Sequence, residues 1–222
     1  MRIRFEEQLS QLNKSLVAIG EAVEQALADA NTALIRQDVS LALKIIAADD
    51  AIDIMEKEIE SLCLQIILQQ QPVASDLRLI SAVLKILTDI ERIGDHASDI
   101  SEIIVKLADK TYIKDLEHIP QMAEATMQMV RKSVDAFVKK DIGLANEVVT
   151  LDDLVDELFE TVKNDLIVLI NKDATNGEQA IDLTMIAKYF EKIGDHATNI
   201  AEWVIFALTG RHKKEKYYSV SP

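Results

Sequence analysis

The sequence predicts an all-α protein made of two tandem, similar three-helix bundles, and three observations carry that expectation. A seven-residue string occurs twice: Glu91 to Ala97 reads ERIGDHA and Glu191 to Ala197 reads EKIGDHA, one hundred places later. A second pair repeats at an offset of 103, RQDVSLALKIIAADDAID from Arg36 and KKDIGLANEVVTLDDLVD from Lys139. Apolar residues recur throughout at helical spacing, while aromatics make up 5% of the chain and Gly and Pro number only 6 and 3. That is the composition of long helices packed through Leu, Ile, Val and Ala, not of short strands joined by turns.

Taken in order, the first helix starts near Phe5. Its apolar residues Leu9, Leu12, Leu16, Ile19, Val23, Ala26, Ala30 and Ala33 alternate in steps of three and four, the period of a packed helix. Leu9, Leu16 and Val23 suit a core or a dimer seam equally. Asp38 reads as the N-cap of a second helix from Val39 to about Gln70, ended by three glutamines and Pro72. Ser75 or Asp76 is placed to cap a third, running through the first motif to about Ala108. The polar stretch Asp109 to Glu117 is the expected boundary. A fourth helix follows from about Ile119-Pro120 to Lys140, Pro being acceptable in a first turn. Asp141 caps the fifth as Asp38 caps the second, and Asn171 to Gly177 breaks it. The sixth carries the second motif to Gly210, a fitting C-terminal stop. The units are therefore residues 1–109 and 110–212, each a three-helix repeat, followed by a basic, polar tail at 213–222 that is expected to fray.

Composition narrows the function. With 222 residues, 49% hydrophobic and 28% charged, the chain can bury a real core. Its formal charge of −14 repels phosphate backbones and argues against nucleic acid as a partner. The single Cys63 has no internal disulfide partner and fits a reducing cytoplasm; it lies among apolar residues and reads as core. No secretory signal opens the chain, and Arg78, Lys85 and Asp89 interrupt the most apolar stretch. A soluble, cytoplasmic protein is expected, at most peripheral to a membrane complex.

Candidate chemistry lies on acidic stripes. At about 100° per residue, Glu91, Asp95, Asp99 and Glu102 share one side of the third helix, opposite Ile90, Ile93, Ala97, Ile100 and Ile104. Glu191, Asp195, Asn199 and Glu202 repeat this on the sixth, opposite Phe190, Ile193, Ala197, Ile200 and Val204. Asp49, Asp50 and Asp53 on the second helix match Asp152, Asp153 and Asp156 on the fifth. These are either solvated faces of amphipathic helices or sets of oxygen ligands for a hard or borderline cation. Like charges four apart destabilise a helix by roughly 0.2–0.5 kcal/mol, yet both halves keep them. Arg92 and Lys192 project away from the glutamates beside them, so little basic relief is expected.

Gly94 and Gly194 sit inside helices, where Gly costs about 1 kcal/mol relative to Ala, which implies close approach of a neighbour or ligand to the backbone. His96 and His196 are expected to pack and hydrogen-bond a nearby carboxylate. The spacing Glu-x-x-x-Asp-His does not fit the Glu-x-x-His signature of di-iron bundles. The sequence shows no phosphate-binding Gly-rich loop, GxSxG, HExxH or Cys–base pairing, so no catalytic residues are assigned and an enzyme is not expected. The competing reading is a carboxylate-rich metal-storage bundle or a metal-dependent phosphohydrolase, in which two metals about 3.5–4 Å apart activate water.

The doubled ERIGDHA/EKIGDHA string, the DDxxD segments at Asp49–Asp53 and Asp152–Asp156, and the six-helix length together resemble the PhoU family of phosphate-transport regulatory proteins. The resemblance spans about residues 3 to 210. It implies paired three-helix bundles, often a homodimer, and a cytoplasmic accessory of the phosphate ABC importer. It further implies negative regulation of phosphate uptake and of the phosphate-starvation response, through the importer's ATPase subunit and a phosphate-sensing histidine kinase. Some members bind multinuclear iron or zinc through E(D)-x-x-x-D repeats. Carried over, these are Glu91/Asp95, Glu191/Asp195, Asp49/Asp53 and Asp152/Asp156, with Asp99 extending the first stripe. Arg92, His96, Lys192 and His196 are the candidates for partner contact. Other members act with sodium–phosphate symporters; the double-bundle length favours the ABC-linked branch.

Overall fold

The computed structural model describes residues 2–211, with side chains from Arg4 onward. Its helices are α1 (Arg2–Arg36), α2 (Val39–Gln70), α3 (Ala74–Leu107), α4 (His118–Lys139), α5 (Ile142–Lys172) and α6 (Gly177–Thr209), with a 3₁₀ turn at Ala174–Asn176. Among the described residues there is no strand. The expected basic tail at 213–222 lies outside the described residues, as does His212.

Helix starts follow the caps where caps exist. The Asp38 carboxylate accepts from the Leu41 N–H at 3.0 Å, and Asp141 accepts from the Gly143 and Leu144 N–H groups at 2.7 and 3.2 Å. Each satisfies donors that the first turn leaves unpaired, at about 1 kcal/mol per cap. The residues just before, Gln37 and Lys140, both turn into left-handed backbone (φ 51° and 55°), so the duplicated loop is preserved down to its dihedrals. The third helix departs from expectation. It begins at Ala74, behind an uncapped Val73 in extended conformation, and Ser75 and Asp76 fall inside the first turn. Asp76 there donates its N–H to the Val73 carbonyl at 2.8 Å, while its charge complements the N-terminal dipole. At the far end, Gly210 takes φ 74° and donates to Phe206 O at 2.8 Å. A Cβ there would lie 2.8 Å from Arg78 Nη1. Arg78 donates from Nε to Ala207 O at 3.0 Å, placing a cation on the carbonyl end of α6.

Helices α1–α3 and α4–α6 form two bundles joined along α1–α4 and, most extensively, along α3–α6; α2 and α5 lie outermost. The α3–α6 pair is antiparallel, since Arg78 meets Ala207 and Asp89 meets His196. The apolar stripes read from sequence are all in the core: Ile90, Ile93, Ala97, Ile100 and Ile104 on α3, and Phe190, Ile193, Ala197, Ile200 and Val204 on α6. Leu16 and Val23 are buried and Leu9 packs against them, which assigns these positions to the core. Cys63 is buried too, and burial pushes its thiol up to about 12, leaving it protonated and inert as a nucleophile.

The connector is fastened to both halves. Gln37 Nε2 donates to Leu107 O and Lys110 O, and the Tyr112 hydroxyl donates to Leu34 O at 2.6 Å. On the other side, Gln179 accepts from the Ile113 N–H and donates to Thr111 O, and Lys114 pairs with Asp165. These bonds, with the shared α3–α6 interface, hold the two motifs in register.

Candidate metal centre

The register of α2 on α3 brings the two first-repeat carboxylate pairs together. Asp53, Glu91 and Asp95 each offer an oxygen, all within 4.8 Å of one another, and among the described residues they are the only such group of three. Asp49 lies beside them, tucked against α3, where a Cβ on Gly94 would stand 3.6 Å from Asp49 Oδ1 and 3.2 Å from Ile52 Cδ1. Gly194 repeats the arrangement, its missing Cβ 3.2 Å from Asp152 Oδ1. The mid-helix glycines thus admit a carboxylate from the neighbouring helix to the backbone of the motif helix. That is the close approach their cost in helix propensity implied.

Burial, together with Asp95, Asp53, Asp50 and Asp99 nearby, raises Asp49 to about 6. Asp152 is also raised to about 6, by burial and by Asp156 and Asp195. Burial raises Glu91 and Asp156 as well, helped by Asp95 and Glu191 respectively. Of these, Asp49 and Asp152 are shifted with no cation acting on them, in partly desolvated surroundings, the donor type and electrostatics a hard or borderline cation satisfies.

Two expectations need correction. The stripes are not free of basic relief: Arg92 lies 3.2 Å from Asp95 and 3.6 Å from Glu91. Lys192 pairs with Asp195 and lies 3.4 Å from Glu191, and Lys188 reaches Glu191 at 2.7 Å. Long side chains bend back across a turn to carboxylates three residues away, which projection of Cβ directions does not capture. Nor do the stripes lie wholly in solvent, because Asp49 and Asp152 are wedged between helices. The halves also differ. Lys188, which reaches Glu191 in the second cluster, has Thr88 at its matched position, whereas Lys57, 3.8 Å from Asp53 in the first, is matched by Glu160, so each cluster draws one cation from a different helix. Asp50 and Asp153 point into solvent.

His96 and His196 meet where α3 crosses α6, their rings 5.6 Å apart. His96 Nδ1 lies 3.3 Å from Asp99 on its own helix, with its ring 5.3 Å from Tyr189. His196 Nδ1 lies 2.8 Å from Asp89 across the interface, and Asn199 Nδ2 donates to the same Asp89 oxygen at 3.2 Å. Burial lowers His96, and the Asp99 hydrogen bond opposes this. Both histidines therefore have the carboxylate expected, though one partner is intramolecular only through the fold. Asp89 and Tyr189 occupy matched positions in the repeats, so each histidine faces the other repeat's residue at that place. Sequence reasoning missed this pair; the mismatch of an acid with an aromatic in an otherwise conserved frame was its only trace.

Fold and site together define a class: a duplicated helical bundle whose two motif helices cross at the centre, each flanked by a carboxylate cluster shared with an outer helix. The family model for the PhoU domain matches this chain twice, at residues 16–104 and 119–204, and the chain belongs to the PhoU family. It is 38% identical over 208 residues to the phosphate-specific transport system accessory protein PhoU homolog of Clostridium acetobutylicum, covering 93% of this chain and 95% of that one. The homolog of that name in Aquifex aeolicus is 36% identical, with 95% and 97% covered. The crystal structure of PhoU from Pseudomonas aeruginosa superposes with a TM-score of 0.89 at 34% identity, over 93% of this chain and all of that one.

Proposed function

We propose that this chain is an accessory protein of a phosphate transport system that restrains phosphate uptake and the phosphate-starvation response. The observation that carries the reading is the double PhoU match over both bundles, with relatives, covered over 95% and 97% of their length, named as accessory proteins of the phosphate-specific transport system. In this reading the protein acts from the cytoplasm on the importer's ATPase subunit and on a phosphate-sensing kinase; no described helix is long and apolar enough to cross a membrane. It works as a binding protein and not as an enzyme. Arg92, at the edge of the crossing, and the acidic flanks supply a charged surface for such partners, and contacts of this kind weaken as salt screens them. A tagged chain incubated with detergent-solubilised membranes is expected to retain the importer ATPase or the kinase at low salt and release it at high salt. Recovery of neither would defeat the partner reading. A homodimer is part of the proposal and is read by sedimentation.

The carboxylate clusters are proposed to hold iron or zinc. Glu91, Asp95, Asp53 and Asp49 would ligate in the first repeat, and Glu191, Asp195, Asp156 and Asp152 in the second, with Asp99 beside the first. The residues fit such an ion because three oxygens already converge and Asp49 lacks a counter-cation. The ion would cross-link α2 to α3 and α5 to α6 and discharge the clusters. Metal analysis of chain purified without chelator or histidine tag is expected to find bound iron or zinc. A Glu91→Ala/Glu191→Ala variant of unchanged helicity should lose most of it, and equal metal in both would return the stripes to solvated faces. With Asn199, a weaker ligand, where the first repeat has Asp99, the first repeat is expected to load more tightly.

A further inference from the structure

The two repeats differ most beside Gly94 and Gly194. In the second repeat, Met129 of α4 reaches across, its Cε 3.6 Å from where a Gly194 Cβ would be. Lys132 of α4 forms an ion pair with Glu147 of α5, closing the seam between these helices. At the register set by Asp38 and Asp141, the first-repeat counterparts of Met129 and Leu151 are Ala26 and Ala48. Removing that bulk leaves a groove of about 290 Å³ between α1 and α2, walled by Leu41, Ile45, Ile52 and Met55 with Gly94 at its base. This is close to the lower end of small-molecule pockets, roughly 300–1,000 Å³.

The seam's charges are altered as well. Where the second repeat has Lys132 and Glu147, the first has Asp29 and Lys44, the signs exchanged. Asp29 accepts from Gln25 of its own helix at 2.9 Å and does not reach across, so no ion pair closes this seam. Asp29 and Asp49 therefore line an open, mostly apolar groove alongside a single lysine.

We infer that this groove binds a small organic cation with a short apolar body, its ammonium or guanidinium group on Asp49 and its carbon skeleton on Ala26, Ala48, Ile45 and Ile52. The apolar walls exclude a hydrated inorganic ion from most of the volume, and the two carboxylates against one lysine disfavour an anion. Charge complementarity and apolar area thus select the same class of ligand. The site is distinct from the phosphate-transport reading and independent of it, and its use of Asp49 makes ligand and metal compete there.

The test titrates metal-free protein at pH 7.5 with phenethylammonium, 2-phenylethanol and 3-phenylpropionate, followed by calorimetry and by amide shifts at Ala26, Ala48 and Gly94. The amine is expected to bind saturably, in the millimolar range or tighter, and about tenfold more tightly than either analogue. An Ala26→Met/Ala48→Leu variant installs the second repeat's own side chains, so it is expected to keep its helicity and thermal midpoint and to lose the amine. An Asp49→Asn variant keeps the groove and should bind amine no better than alcohol. Absence of saturable amine binding, equal binding of all three probes, or undiminished binding by the filled variant would each overturn the proposal. So would a filled variant that changes only the sedimentation of the chain, since the groove would then be a self-contact.

Discussion

Phe190→Ala is expected to lower the unfolding free energy by about 3–5 kcal/mol, the usual cost of deleting a fully buried phenyl group. Among the described residues, Phe190 is the largest fully buried side chain. It stands on the apolar side of α6, opposite the acidic stripe, so the cavity opens in the hydrophobic core. For a chain of this size each kcal/mol moves the thermal midpoint by about 2–4 °C, which puts the expected drop on the order of 10 °C. Leu68→Ala provides the comparison: Leu68 is 79% exposed, and its loss should stay within about 0.5 kcal/mol. Denaturant unfolding of the two variants reads both numbers. A loss below about 1 kcal/mol at Phe190 would mean that α6 is not packed as described.

The second large effect comes from the wedged carboxylates and has the opposite sign. Asp49 and Asp152 are raised from 3.8 to about 6 by burial and by neighbouring acids. The folded state therefore holds their protons more tightly than the unfolded chain, and stability falls as pH rises across that interval. Below about 3.8 these groups cost nothing, and above about 6 the cost is complete. Glu56, Glu91 and Asp156 are raised and act in the same direction. Lowered Asp165 and Asp173 oppose them, but below the window, and lowered His96 opposes them near neutrality. Chelator-treated protein is expected to melt at a higher temperature at pH 5 than at pH 7.5. Asp49→Asn/Asp152→Asn should flatten that difference and raise the midpoint at pH 7.5 by roughly 5 °C. This takes about 1 kcal/mol per group after allowance for the solvent that screens carboxylates this open. A midpoint that falls on this double substitution, with helicity intact, would mean that the two aspartates are compensated in the metal-free fold.

The core thus supplies stability while the carboxylate clusters give some of it up, and the cation proposed for them would offset that loss by joining α2 to α3 and α5 to α6. At the α3–α6 crossing, Asp89 binds His196 and Tyr189 faces His96.

Much of this was legible in the chain because helical periodicity and capping are local. The stripes opposite Glu91 and Glu191, the caps Asp38 and Asp141, and the stop at Gly210 depend on residues within a few turns, and duplication wrote the stripes and the caps twice. Local spacing also identified the carboxylates and required a close approach at Gly94 and Gly194. It could not say which atom approaches, because Asp49 and Asp152 come from helices more than forty residues away. Tertiary structure alone decided that Asp53 joins Glu91 and Asp95 within 4.8 Å. It also decided that Arg92, Lys188 and Lys192 bend onto the stripes, that Asp89 serves His196 from the other repeat, and that the first repeat stays open where Met129 fills the second. Periodicity determines which face of a helix is apolar, but distances between polar groups depend on how helices are set against one another and on which rotamers long side chains adopt, and neither is written in any single helix.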